Sequence, residues 1–247
     1  MSRHQEYVRI VPEANTAILF IHGIVGTPDH FRKFIPLIPE NYSIINLLLD
    51  GHGKTTDDFA KTSMKRWKSQ VNGALTTLRQ QHREIIIVAH SMGTLFAINA
   101  AIENPSDISQ LFLMASPLRV HPKPSALTTS LKVLFQRVSP MDLRTLGATL
   151  AYGIKPDPRL WKYLPWIPRY VELLKEIYHT RGVIQKLSTP CTVYQSKKDE
   201  LVAYSSVEIL KKNPKIRIHT LPQSSHFYLT QEEEALVLND FLSLCKL

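Results

Sequence analysis

The chain has 247 residues, of which 44% are hydrophobic, with a formal net charge of +9 and two cysteines. This length suits one α/β domain with a single core and requires no disulfide framework. The positive charge could indicate a nucleic-acid-binding protein, but no basic repeat, zinc knuckle or aromatic RNA-binding signature accompanies it. Composition therefore argues against a disulfide-rich fold and against nucleic acid as a partner.

The first apolar run and the two cysteines bear on the compartment. Residues 16–21 follow a polar segment, and this run is too short for a signal peptide or a membrane span. Cys191 and Cys245 form no CxxC pair and lie among apolar residues, which is typical of reduced, buried thiols. We therefore expect a soluble, cytoplasmic protein.

Short apolar runs alternate with helical patterns over the first 115 residues. The runs are rich in β-branched residues and end in turns, which is typical of buried parallel strands. They cover residues 16–21, 43–49, 85–89 and 111–115, and the helical patterns cover 28–37, 63–83 and 92–103. This order predicts an α/β fold, with a mostly parallel sheet covered by helices on both faces.

The alternation stops near residue 116 and resumes at Cys191. Seven prolines between positions 122 and 168 prevent one long helix, while many apolar and aromatic side chains there would be unfavourable in water. We therefore expect a small helical cap over residues 117–186, and its alternative is a poorly ordered surface excursion. The core then comprises 1–116 and 187–247, completed by strands at 191–195 and 216–221 and a helix at 232–245.

The most specific motif surrounds Ser91, in the sequence Ile-Val-Ala-His-Ser-Met-Gly. Ser91 follows a predicted strand and precedes a predicted helix. A nucleophile on such a sharp turn needs small residues two positions before it and two after it. Ala89 and Gly93 meet that need.

A carboxylate and a histidine follow Ser91 in the chain order that this kind of site uses. Asp199 and His226 each lie just after a predicted strand. Asp199 could orient His226 through one ring nitrogen while the other nitrogen removes the Ser91 proton. Glu200 is a competing carboxylate, whereas Asp50 is disfavoured because it precedes the nucleophile.

Together these features resemble the α/β-hydrolase superfamily, in particular the small lid-bearing bacterial carboxylesterases and monoacylglycerol lipases. The elbow at Ser91 is similar to the family's Gly-x-Ser-x-Gly motif, with Ala89 in place of the first glycine. The turns at His22-Gly23 and Gly51-His52-Gly53 match further family turns. The resemblance covers most of the chain, is loose within the cap, and implies that the cap lies between strands 6 and 7 of the fold.

The resemblance implies a serine hydrolase with Ser91 as nucleophile, His226 as general base and Asp199, rather than Glu200, as the acid. A serine nucleophile argues against the haloalkane dehalogenases and epoxide hydrolases of the same fold. The expected reaction is hydrolysis of short to medium acyl esters through an acyl-enzyme on Ser91. A monoacylglycerol lipase is the nearest variant.

The family's oxyanion hole would use two backbone N–H groups, those of Ile24 and Met92. No metal or redox cofactor is expected, because HExxH, EF-hand and dinucleotide GxGxxG motifs are absent from the sequence. Gly53-Lys54-Thr55 does not form a phosphate loop, since Leu48 stands where that motif needs glycine.

The cap carries most of the net charge. Between Arg119 and Lys186 there are twelve Lys and Arg against four Asp and Glu, which is +8 of the chain's +9. Such a cap would suit anionic substrates or transient contact with an acidic lipid surface. A solvated basic face is the alternative.

Two other functions remain open. An aminopeptidase or other amidase would share the same catalytic chemistry, but it would need an acidic residue in the pocket to hold a substrate amine. The cap offers Asp142, Asp157, Glu172 and Glu176 for that role. A non-catalytic ligand-binding protein could also retain this fold and these residues.

Overall fold

The computed structural model describes residues 4–246, whose strands form one seven-stranded sheet in the order β1-β3-β2-β4-β5-β6-β7. Strands β2 to β7 are parallel, and β1 pairs antiparallel with β3. The strands are β1 (Tyr7–Arg9), β2 (Thr16–Ile21), β3 (Ser43–Asn46), β4 (Glu84–His90), β5 (Ile108–Met114), β6 (Cys191–Ser196) and β7 (Ile216–Leu221). The predicted mostly parallel α/β sheet is confirmed.

Helices connect these strands. The α-helices are α1 (Thr56–Ala60), α2 (Met64–Arg79), α3 (Met92–Glu103), α4 (Pro124–Leu134), α5 (Leu143–Ala151), α6 (Ile167–Val183), α7 (Val207–Leu210) and α8 (Gln231–Leu244). Short 3-10 helices occupy Pro28–Phe31, Ile35–Leu37, Leu160–Trp166, Ile184–Lys186 and Tyr204–Ser206. The helical pattern predicted over 28–37 thus forms two 3-10 turns, because Pro36 lacks the N–H that a continuous helix needs.

Helices cover both faces of the sheet. Along β2, Ala17, Leu19 and Ile21 pack into a core shared with α2 and α3, whereas Ile18 and Phe20 pack into a second core shared with α8. This alternation follows from the two-residue period of a strand. Helix α3 is buried at every residue from Met92 to Ala101, so it is fixed firmly beneath the end of β4.

Residues 117–186 contain α4, α5 and α6 and lie between β5 and β6. The predicted place between strands 6 and 7 is therefore not confirmed by the strand count, and the division into a core and a cap stays a prediction. The segment contacts the rest of the protein closely at Gly153, whose N–H donates to the Val25 carbonyl at 2.8 Å. The indole of Trp166 likewise donates to the Thr56 carbonyl at 2.9 Å.

Two further expectations concern the chain as a whole. Cys191 and Cys245 are buried free thiols, as predicted. Burial raises the pKa of the Cys245 thiol to about 12. Across residues 4–246, no helix combines the length and the hydrophobicity needed to cross a bilayer.

Candidate active site

Ser91 occupies a strained turn between β4 and α3. Its φ of 52° and ψ of −124° lie outside the regions that a residue with a side chain normally adopts. The surrounding structure holds this conformation, since the Ser91 N–H donates to the Met114 carbonyl of β5 at 2.9 Å and the Thr94 N–H donates to the Ser91 carbonyl at 2.9 Å. The turn places the serine at the carboxyl end of the central strand.

Two glycines leave space that the Ser91 turn requires. A Cβ atom added to Gly93 would lie 2.2 Å from the Ile21 carbonyl oxygen, which is far inside van der Waals contact. A Cβ atom added to Gly23 would lie 2.8 Å from the Cβ of Ser91 itself. The requirement for a small residue at position 93, expected from the motif, thus has a direct steric cause.

His226 joins the serine to a carboxylate. Its Nε2 lies 3.1 Å from Ser91 Oγ, and its Nδ1 lies 2.8 Å from Asp199 Oδ2. Because a carboxylate accepts at Nδ1, that nitrogen carries the proton and Nε2 is left to accept from the serine hydroxyl. Burial acts to lower the pKa of His226, but the charge and hydrogen bond of Asp199, helped by the charge of Glu200, raise it above its usual value.

The two adjacent carboxylates make different contacts. Asp199 is fully buried, and its Oδ1 accepts the backbone N–H groups of Leu201 at 2.8 Å and Val202 at 2.7 Å. No hydrogen bond joins the Glu200 carboxylate to the imidazole of His226. Instead, its Oε2 accepts the backbone N–H of His226 at 3.1 Å.

His90, which precedes the serine, is hydrogen-bonded to the backbone carbonyl of His226. Its Nε2 donates to the His226 carbonyl at 3.0 Å. Burial, together with the neighbouring His30, holds the pKa of His90 well below its usual value, so it is a neutral donor. The His30 ring lies 4.0 Å from the His90 ring, and burial lowers the pKa of His30 to about 4. Sequence reasoning did not identify either histidine.

Met92 and Ile24 lie on the two turns that flank the serine. Met92 is the first residue of α3, where a backbone N–H has no partner within the helix. Within residues 4–246, no acceptor is hydrogen-bonded to the N–H of either Met92 or Ile24. Ile24 also lines the cavity beside Ser91. Neither amide therefore has a hydrogen-bond partner in the described part of the chain, which is one condition for an oxyanion hole.

The turn that carries Ile24 is held by His22. The Nε2 of His22 accepts the Leu49 N–H at 3.1 Å, so its proton lies on Nδ1, which donates to the Gly23 carbonyl at 2.9 Å. Burial keeps the pKa of His22 well below its usual value. This histidine thus ties the turn after β2 to the chain after β3 as a neutral group.

The Gly51-His52-Gly53 turn forms the expected tight bend nearby. Gly51 and Gly53 have φ values of 78° and 71°, in the left-handed region that favours glycine. The ring of His52 packs edge-on against that of His22, with 4.7 Å between their centres. The bend therefore contacts the turn after β2 through His22, and neither nitrogen of His52 is hydrogen-bonded to Ser91.

A cavity of about 540 Å³ opens beside Ser91 and His226. Residues 117–186 supply most of its lining, which is almost entirely apolar and aromatic. Tyr152, Trp166 and Leu173 are examples. From the rest of the protein, the lining residues are Ile24, Val25, Ser91, Glu200, Leu201, Val202, His226 and Phe227.

The four acidic residues considered for an amine pocket lie outside this cavity lining. Each of them pairs with a basic side chain, at N–O distances between 2.6 and 2.9 Å. The pairs are Asp142 with Lys132, Asp157 with Arg159, Glu172 with Arg169, and Glu176 with Lys68. Glu200 is the acidic side chain that does line the cavity.

Comparison with known proteins gives one family match. A family model described as serine aminopeptidase, S33, matches residues 12–234. An uncharacterized hydrolase of Bacillus subtilis, YugF, is 28% identical over 100 residues, covering 40% of this chain and 36% of that protein. A thermostable monoacylglycerol lipase of Bacillus sp. strain H-257 is 21% identical over 195 residues, covering 78% of this chain and 74% of that protein.

Solved structures show the same fold. The structure of a metagenome-derived lipolytic enzyme, from a study of LipS and LipT, superposes with a TM-score of 0.75. It is 18% identical, and the match covers 98% of this chain and 97% of that one. At this identity the likeness is evidence of the fold alone.

Proposed function

The chain belongs to the hydrolase family described as serine aminopeptidase, S33, and we propose that it is a serine carboxylesterase acting on short to medium acyl esters. The main support is the hydrogen bonding among three side chains. Ser91, His226 and Asp199 form a continuous hydrogen-bonded series beside an apolar cavity. This is the arrangement that turns a weak hydroxyl nucleophile into an effective one.

In the first half of the reaction, His226 Nε2 takes the Ser91 hydroxyl proton as Oγ attacks the carbonyl carbon of the ester. The tetrahedral intermediate then collapses, the bond to the alcohol oxygen breaks, and the imidazolium returns its proton to the departing alcohol. In the second half, His226 removes a proton from water, which attacks the acyl-enzyme and releases the acid. Ser91 regains its proton at the end of the cycle.

Asp199 supports both halves without taking the proton itself. Its contact with Nδ1 fixes the tautomer that leaves Nε2 free to accept, and its charge stabilises the imidazolium that forms in each half. Two backbone N–H groups hold its other oxygen, so the carboxylate cannot turn away from the ring. The carboxylate is therefore preorganised.

The amides of Ile24 and Met92 would stabilise the negative charge that develops on the carbonyl oxygen. Met92 stands at the N-terminus of α3, where the helix dipole adds to the effect. The turn carrying Ile24 is braced by His22 and Gly153. These groups need little rearrangement when the charge appears, which is what makes such stabilisation effective.

The cavity indicates the kind of substrate. Its volume of about 540 Å³ lies within the usual range of small-molecule sites, roughly 300–1,000 Å³. Its apolar lining favours a hydrocarbon acyl chain. A monoacylglycerol lipase activity is the second candidate, and the similarity to the Bacillus sp. strain H-257 enzyme supports it.

A lipid surface would be a suitable source for such a substrate. Of the eighteen large hydrophobic side chains that are exposed in the described part of the chain, fifteen lie within residues 117–186. The same segment carries the excess of basic residues. Exposed apolar groups beside positive charge favour transient contact of this cap with an acidic lipid surface.

Hydrolysis of p-nitrophenyl esters of increasing acyl length, alongside monoacylglycerols, tests the substrate range. We expect the rate to rise from acetyl to medium-chain esters, because the cavity exceeds what acetyl fills. A preference for acetyl would contradict the role given to the cavity. Absence of turnover on every ester, from folded protein, would favour an amidase or a ligand-binding protein instead.

A further inference from the structure

Glu200 has an unusual position for a charged side chain. It lies on the loop after β6, is 7% exposed, and lines the same cavity as Ser91 and His226. Among the described residues, the cavity lining contains no other Asp or Glu and no Lys or Arg. A carboxylate in such apolar surroundings is costly unless something compensates its charge.

Protein contacts compensate this carboxylate only in part. Oε2 accepts the backbone N–H of His226, but within residues 4–246 no hydrogen bond reaches Oε1. Nor does any basic side chain in that part of the chain lie within 4.0 Å of Glu200, unlike the paired acidic residues of the segment 117–186. One oxygen of a buried carboxylate is therefore left for a ligand.

We propose that Glu200 is a specificity-determining residue, which selects esters bearing a hydrogen-bond donor, either a hydroxyl or an ammonium group, and disfavours esters bearing a carboxylate. This inference rests on the proposed esterase function. A donor on the bound substrate would complete the hydrogen bonding of Oε1, and a charge-assisted bond is stronger than a neutral one. A substrate carboxylate would instead be repelled by a like charge in a cavity of low dielectric.

A purely supporting role for Glu200 makes a different prediction. Through its contact with the backbone N–H, and through its charge, Glu200 also helps to position His226. If Glu200 did nothing else, replacing it would slow the hydrolysis of every ester by the same factor, because hydrolysis of each one requires His226. Selectivity between substrates that differ in one group therefore separates the two roles.

The test uses four octanoate esters, followed by titration of the released acid at constant pH. Butyl octanoate has no donor, monooctanoylglycerol has two hydroxyl groups, 3-(dimethylammonio)propyl octanoate has one N–H, and 3-carboxypropyl octanoate has a carboxylate. For the wild type, we expect kcat/KM to be at least tenfold higher for the two donor-bearing esters than for butyl octanoate. We expect it to be lowest for the anionic ester.

Glu200→Gln keeps the shape of the side chain and an oxygen for the His226 N–H, but it removes the charge. We expect the ratio of kcat/KM for the donor-bearing esters to that for butyl octanoate to fall at least fivefold. The ratio of kcat/KM for butyl octanoate to that for the anionic ester should fall by a similar factor. Glu208→Gln is the matched control, because this exposed residue on α7 lies outside the cavity lining. It should keep the wild-type ratios.

Equal kcat/KM for butyl octanoate and the donor-bearing esters in the wild type would overturn the inference, and so would a uniform loss across the panel in Glu200→Gln. If Glu200→Gln does not fold, the wild-type ratios of kcat/KM between the donor-bearing esters and butyl octanoate still test the inference. Failure of the esterase proposal looks different, since the wild type would then hydrolyse none of the esters, or Ser91→Ala would hydrolyse them equally well.

Discussion

Two neighbouring carboxylates, Asp199 and Glu200, differ in their hydrogen bonds to His226. Asp199 bonds to the ring nitrogen Nδ1, whereas Glu200 accepts the backbone N–H. Of these two carboxylates, Asp199 is the one hydrogen-bonded to the imidazole ring, so Asp199→Asn removes the group that fixes the tautomer of His226. We expect kcat/KM for p-nitrophenyl butyrate to fall by about 10³-fold or more. Glu200→Gln should cost no more than about tenfold, because it leaves the ring contact intact. The reverse order of losses would show that Glu200 is the acid.

The protonation of His226 sets how activity depends on pH. Only the neutral imidazole can accept the serine proton, so kcat/KM should fall as pH drops through the pKa of His226. Since Asp199 and Glu200 raise that pKa, the acid limb should have its midpoint above 6.5. Glu200→Gln removes one negative charge and should move the midpoint to lower pH. A pH profile of kcat/KM checks both statements, and a midpoint that moves upward in the variant would contradict them.

Functional residues can be predicted from the sequence where local constraints are strict. Ser91 follows from a strand, a tight turn and a helix in succession. In the structure, His226 is hydrogen-bonded to Ser91, and Asp199 is hydrogen-bonded to His226. His90 was missed because its contact is with the carbonyl of a residue 136 positions away. A hydrogen bond to the backbone leaves no pattern in the side chains.

At the scale of elements, the tight junction of α3 with β2 fixes the serine turn. Gly93→Ala places a methyl group against the Ile21 carbonyl, so we expect a loss of about 1–3 kcal/mol in the free energy of unfolding and a large loss of ester hydrolysis. Gly73 lies in α2 with open space around it and serves as the control. Gly73→Ala should stabilise the protein by up to about 1 kcal/mol.

Urea unfolding, followed by circular dichroism, measures both changes. If Gly93→Ala and Gly73→Ala had the same effect on stability, the close approach at Gly93 would not matter. Loss of activity at full stability would also be informative, because it would place the effect on the Ser91 turn alone.

The elements differ in how well periodicity predicts them. The six parallel strands were all predicted, since each contains a short run rich in apolar and β-branched residues. Strand β1 was missed because Tyr7–Arg9 is only three residues long and lies partly exposed at the sheet edge. Strand β1 forms through its backbone hydrogen bonds to β3, and the sequence of so short a segment does not indicate that pairing.

The segment between β5 and β6 forms most of the wall of the cavity beside Ser91. Its helical content followed from apolar spacing and prolines, but its arrangement depends on distant contacts such as that of Gly153 with Val25. The cavity is lined mostly by this segment, so its shape could not be predicted from the sequence. The motifs predict the positions of Ser91, Asp199 and His226, whereas the tertiary contacts of the segment shape the cavity beside them.

Contact with acidic lipid is a prediction at the same scale. Binding to vesicles containing phosphatidylserine, measured by co-sedimentation, should exceed binding to phosphatidylcholine vesicles and should weaken with added salt. Trp161→Ala, which removes an exposed apolar side chain from the cap, should weaken it further. Leu236→Ala on α8 is the control, because Leu236 is exposed outside that segment. Equal binding to both kinds of vesicle would refute the lipid contact.

Attack of Ser91 on an ester carbonyl can be tested by the hydrolysis of p-nitrophenyl octanoate, measured for the wild type and for Ser91→Ala. Circular dichroism should first establish that both proteins are folded. We predict turnover by the wild type and a loss of about 10³-fold or more in the variant, since the serine acts as one unit with His226 and Asp199. Equal rates from the two proteins would rule out Ser91 as the nucleophile, and no turnover by folded wild type would rule out ester hydrolysis.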